Sequence, residues 1–164
     1  MIKPYIALSL LCFLCHIHLS AQPNIESIRK VVGEINNLRA SGCVCGGRWM
    51  PPVGRVSWDR QLHQVSNKYA RYMAFHDHFD HVSKNGEDLG DRLDNAGYKW
   101  LTIGENLAHG YHDFYDVLEA WKDSPSHCKM LMHPDMTKMG LSKHKTYWVQ
   151  SFSGIPEGMA STSE

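Results

Sequence analysis

Eleven histidines in 164 residues supply many groups that titrate near neutral pH and can ligate transition metals. They matter only where other reactive side chains stand beside them. "FHDHFDH" carries His76, His78 and His81 among acids and aromatics. "GENLAHG" places Glu105 between Gly104 and Asn106. "SPSHC" sets His127 just inside a Ser-Pro helix start, and Lys143-His144-Lys145 reads as an exposed hairpin turn. Taken alone, each has a plain reading. A short H-x-H-x-x-H is more often a solvated loop than a metal site, and a Glu beside Gly in a turn is usually exposed. Any chemistry must come from groups brought together across the chain.

Several enzyme classes are disfavoured at once. Ser124 is expected as a helix N-cap, its hydroxyl accepting from the backbone N–H of Ser126 or His127, which removes it as a hydrolase nucleophile. Neighbours on a helix point in different directions, so His127 and Cys128 form no dyad. Neither H-E-x-x-H nor G-x-S-x-G occurs. The lone C-V-C at Cys43 and Cys45 is not the four-ligand set of a zinc knuckle.

The first 21 residues read as a secretory signal: one Lys, an apolar run from Ile6 to Leu14, then Ser20-Ala21-Gln22, with cleavage after Ala21. That run is shorter than the ~20 apolar residues of a membrane span. Cys12 and Cys15 each follow a leucine, which argues against a lipid-anchored lipoprotein. Removal of residues 1–21 leaves 143 (164 − 21), the size of one domain, with 16 basic (17 − 1) and 17 acidic side chains. Without a basic block, nucleic acid and anionic membranes have no electrostatic footprint. Cys43, Cys45 and Cys128 remain. Cys43 and Cys45 are too close in sequence to pair comfortably, so one of them is expected to bridge to Cys128, leaving one thiol over.

The elements that must position these groups follow from periodicity. Ile25, Ile28, Val32, Ile35 and Leu38 mark a helix ending at Gly42. "CVCGGRWMPPVGRVSW" reads as an extended loop leading to a short strand. Asp59 caps a long helix with Leu62, Val65, Tyr69, Tyr72 and Met73 on its apolar stripe, fading near "FHDHFDH". A short helix follows in "DLGDRLDNAG", with Leu89 and Leu93 inward and Gly97 as its stop. A strand is expected through Leu101 to Ile103, and a helix from Asp113 with Phe114, Val117, Leu118 and Trp121 inward. Pro125 opens another helix. "KMGLSKH" and "TYWVQSFSG" read as strands, and residues 155–164 as a flexible tail. Helices and strands mix without a βαβ rhythm. The expectation is an α+β fold, a layered α-β-α domain over residues 22–154 with a largely antiparallel sheet.

"NNLRASGCVCGGRWMPPV", "WDRQLHQVSNKYARYMA", "FDH", "GENLAHG", "AWKDSPSHCKMLMHP" and "YWVQSF" occur in that order. In this the chain resembles the CAP superfamily of cysteine-rich secretory proteins, venom allergens and plant pathogenesis-related proteins, and in particular its bacterial secreted SCP-like branch. The resemblance covers roughly residues 25–154. It implies an α-β-α sandwich whose cleft holds two histidines and acidic groups: His81 and His127 match the histidines, and Glu105 the first acid. The position of the second acid is occupied by Ser124; Glu119 and Asp123 lie nearby but do not match it. Related bacterial sequences carry a further cysteine near Ser142, where this chain has none.

Two imidazoles facing each other would suit a weak, exchangeable zinc site at His81 and His127, with Glu105 at most a water-bridged third ligand. The alternative is a hydrogen-bonded network of His81, Glu105 and His127 without metal. The functional expectation is a secreted, monomeric binding module for an extracellular small molecule, lipid or peptide. Its competitor is a metal-dependent peptidase or esterase with Glu105 as general base.

Overall fold

The computed structural model describes residues 25–154, with side chains from Ser27 onward. The signal segment expected over residues 1–21 and the tail over 155–164 lie outside the described residues. Five helices and six strands follow in the order α1 (Ile25–Ser41), β1 (Cys43–Cys45), β2 (Arg48–Met50), β3 (Ser57–Trp58), α2 (Arg60–His76), α3 (Leu89–Asn95), β4 (Thr102–His109), α4 (Phe114–Asp123), α5 (Pro125–Leu131), β5 (Lys138–His144) and β6 (Tyr147–Gly154).

The main sheet has the order β3-β5-β6-β4, antiparallel except for the short β3–β5 pairing. Alternation along β6 explains the layering, because successive side chains point to opposite faces. Tyr147 and Val149 pack with Tyr69, Ala70 and Met73 of α2 and Leu107 of β4. Trp148 and Phe152 face the other way, into a larger cluster with Ile35 of α1, Val117, Leu118 and Trp121 of α4, and Leu131 of α5. Both faces are therefore covered, and every residue of β6 is buried. This is the expected α+β, α-β-α sandwich.

Helix limits follow local chemistry. The Asp59 carboxylate accepts from the N–H groups of Gln61 (2.8 Å) and Leu62 (2.9 Å), and Asp113 caps α4 in the same way. α2 ends at Asp77, which adopts a left-handed conformation (φ 45°). α2 also lies unusually near the sheet: a Cβ on Gly140 would collide with the backbone of Leu62 and His63.

Three expectations need correction. The segment read as an extended loop contains a β-hairpin, β1–β2, closed by Gly46 and Gly47 at φ 60° and 82°. Two consecutive positive φ angles define the tight hairpin turn that glycine pairs favour, a signal present in "CGGR". The strand expected over Leu101 to Ile103 begins one residue later and runs to His109, so Glu105 sits mid-strand, paired with Ser151, and not in a turn. Ser124 is the N-cap of α5 by backbone conformation, but its side chain makes no capping bond. Its hydroxyl lies 3.4 Å from that of Ser126. The same residue closes α4 through its N–H to the Ala120 carbonyl.

Candidate functional site: a buried carboxylate behind an exposed histidine

Glu105 is held on β4 with its side chain only 4% exposed, and both its oxygens are engaged. Oε1 accepts from His81 Nδ1 at 2.9 Å and Oε2 from Arg92 Nη2 at 2.8 Å. His81 comes from the loop after α2, and its side chain remains 56% exposed. Donation from Nδ1 fixes the tautomer of the neutral ring and turns the lone pair of Nε2 outward.

Arg92, on α3, was not legible as a site residue. Its guanidinium lies 3.5 Å from the centroid of the Tyr69 ring, and Nη1 donates to the carbonyls of His81 (3.1 Å) and Glu87 (3.2 Å). One arginine thus neutralises the buried carboxylate and fixes the backbone of the loop that carries His81. Tyr69 braces the same loop, its hydroxyl donating to the Asp80 carbonyl at 2.6 Å. Burial, above all, pushes the Tyr69 phenol up to about 12.

His127 reaches the site from α5. Its carbonyl accepts from Asn106 Nδ2 at 3.4 Å, the residue after Glu105, and its ring makes no hydrogen bond among the described residues. The two histidines titrate in opposite directions. The hydrogen bond to Glu105 raises the His81 pKa above its ordinary value. Burial, with the charge of His81 as a smaller cause, lowers that of His127. The opposing shifts favour the neutral form of His127 and make His81 easier to protonate than a free imidazole.

α5 is anchored at two points. Cys128, next to His127, is bonded to Cys45 of the hairpin, which resolves the pairing left open by the sequence. Cys43 keeps a free thiol 3.5 Å from Cys128 Sγ and 3.6 Å from Cys45 Sγ. At the other end, fully buried Arg39 of α1 donates to the carbonyls of Leu131, His133 and Met136, and to that of Gly54. Arg39 lies on the α1 apolar stripe four residues after Ile35. A charged residue on that stripe was the available signal for this role.

The other histidines of "FHDHFDH" diverge. His76 packs against Tyr72, at 4.4 Å between ring centroids, and His78 Nε2 lies 2.8 Å from the Val82 carbonyl. Glu119 is paired with Lys122, and Asp123 is exposed. As donors for a metal, His81, Glu105 and His127 do not gather as a trio within 4.8 Å; among the described residues only Cys43, Cys45 and Cys128 do. Two of those three sulfurs are spent in the disulfide. With the Glu105 oxygens committed, the histidines offer at most two imidazole ligands, short of the three protein ligands usual for catalytic zinc.

Residues 32–152 match the model of the CAP, or cysteine-rich secretory protein, family, and the chain belongs to that family. It is 31% identical over 100 residues to an uncharacterized membrane protein, YlbC, of Bacillus subtilis, covering 61% of this chain and 29% of that one. It is 26% identical over 137 residues to YkwD, an uncharacterized protein of the same bacterium, covering 82% and 50%. The chain therefore spans half or less of either curated relative. Among solved structures, an outer surface protein of Borrelia burgdorferi superposes with a TM-score of 0.68 at 23% identity, over 80% of this chain and 95% of that one. An extracellular SCP-domain protein of Bacillus anthracis superposes with a TM-score of 0.63 at 22% identity, over 82% and 45%. Likeness at this identity establishes a bacterial SCP-like fold. Among the described residues no helix is long and apolar enough to cross a membrane.

Proposed function

We propose that this CAP domain is a secreted, extracellular binding module, working as a monomer, whose cleft presents His81 and His127 to a small-molecule, lipid or peptide ligand. The observation that carries this reading is the state of Glu105. A general base must reach the attacking water, but the Glu105 side chain is almost fully buried and pinned by His81 on one oxygen and Arg92 on the other. It acts as an orienting group for His81, which argues against the peptidase or esterase alternative. The Ser124 hydroxyl has no imidazole partner, so a serine nucleophile gains no support either.

Zinc fits this reading in one form. His81 Nε2 and the neutral His127 ring would hold the ion, with Glu105 behind His81 in the carboxylate–histidine arrangement that raises ligand basicity. When bound, the ion would offer a Lewis-acidic anchor for a ligand carbonyl or carboxylate. Because the same contact favours protonated His81, acid competes with metal, and affinity should fall as pH drops through the raised His81 value.

Calorimetric zinc titration at pH 7.5 tests the assignment. Wild type should take up one zinc weakly, and His81→Ala or His127→Ala should abolish uptake while the chelator-treated proteins still fold. Undiminished uptake by the double alanine variant would remove the site. Metal- and Glu105-dependent turnover of a peptide or ester library would instead restore the hydrolase.

A further inference from the structure

A cavity of about 410 Å³ opens between α2, α3 and the loop before α3, sharing Arg92 with the histidine site but lined by none of His81, Glu105 or His127. Its inner wall is apolar and aromatic: Val65, Tyr69 and Tyr72 follow one another down one side of α2, with the two tyrosine rings stacked 5.8 Å apart. Its mouth is cationic. Arg60 and Lys68 are exposed there, and among the described residues neither has an acid within ion-pair distance.

The one acid in the wall, Glu87, accepts from Asn95 Nδ2 at 3.0 Å and forms no ion pair with either cation. Deeper in the wall, the Arg92 guanidinium is committed to Glu105 and to the carbonyls of His81 and Glu87. An aromatic pocket with unpaired cations at its rim is built to take a body that is apolar and flat at one end and anionic at the other.

We propose that this cavity is a second binding site, for a small organic anion with an aromatic or comparably flat apolar body. It goes beyond the function proposed above and needs neither histidine nor metal.

The test uses naphthalene-2-carboxylate as probe, followed by amide chemical shifts of the full mature protein. Saturable shifts are expected in α2 around residues 61–72 and in α3 around 92–96. Arg60→Gln with Lys68→Gln should weaken binding about tenfold, since each solvated cation contributes modestly. Gln64→Trp, at the exposed mouth, should block it. The uncharged naphthalene-2-carboxamide should bind about tenfold more weakly for the same reason. His127→Ala should leave binding unchanged, so failure here is distinguishable from failure of the histidine cleft. Lys143→Gln should also have no effect, because it lies in an adjoining groove, lined by Trp58 and Phe114, that shares only Gln64 and Lys68 with the cavity. Absence of saturation, shifts centred on Trp58 and Phe114, or equal affinity for the amide would overturn the proposal.

Discussion

Replacing Glu105 with glutamine changes almost nothing in shape and removes one charge from the middle of the site. Arg92, with 9% of its side chain exposed, would lose its compensating carboxylate 2.8 Å away. Breaking a buried pair in this way costs about 3–5 kcal/mol. The glutamine oxygen can still accept from Arg92, so the lower end, about 3 kcal/mol, is expected. For a domain of this size that corresponds to a fall in Tm of roughly 10 °C.

The pH dependence carries more information. His81 has a raised pKa chiefly because of Glu105, so the stability it contributes is complete below the unfolded value near 6.5 and is lost as pH rises through the folded value. His127, lowered by burial, does the reverse: its unfolded form takes up protons first, and stability declines as pH falls below about 6.5. Glu105→Gln should abolish the alkaline-side loss and leave the acid-side loss in place. NMR titration of the imidazole carbon-bound protons gives the individual values, and thermal melts from pH 5 to 8.5 give the stability profile. A Tm within about 2 °C of wild type, together with an unshifted His81 titration, would show that the carboxylate does not organise this site.

Further outcomes follow from the same geometry. Non-reducing peptide mapping should find Cys45 joined to Cys128 with Cys43 open to alkylation; a Cys43–Cys128 link would contradict the pairing. Replacing Cys45 and Cys128 together by serine should cost about 2–5 kcal/mol in denaturant unfolding, because the bridge closes a loop of sequence separation 83. Gly140→Ala should destabilise by about 3 kcal/mol or more, or prevent folding, since the added methyl meets α2 backbone that cannot yield as a side chain would. A melt close to wild type would mean that α2 does not lie as near β5 as described.

Much of the scaffold was legible because its signals are local. The Asp59 cap, the 62-65-69-73 stripe, the inward Leu89 and Leu93 and the two C-terminal strands each follow from neighbours in sequence, and each stands in the structure as expected. The local misreadings have local causes. Gly46-Gly47 is hairpin turn chemistry within a Gly- and Pro-rich stretch, and Ser124, shared between two helices, makes no side-chain capping bond.

What the sequence determined by itself is the amphipathic pattern of each element, the family, and the kinds of side chain available for chemistry, because these depend on residue type and short-range spacing. Tertiary structure alone decided that Glu105 is a buried strut clasped by Arg92, that Cys45 and not Cys43 holds α5, and that His81 and His127 titrate apart. Those properties depend on desolvation and on charges set close together by chain folding. Neither quantity exists until the sheet has brought residues 81, 92 and 105 into one place.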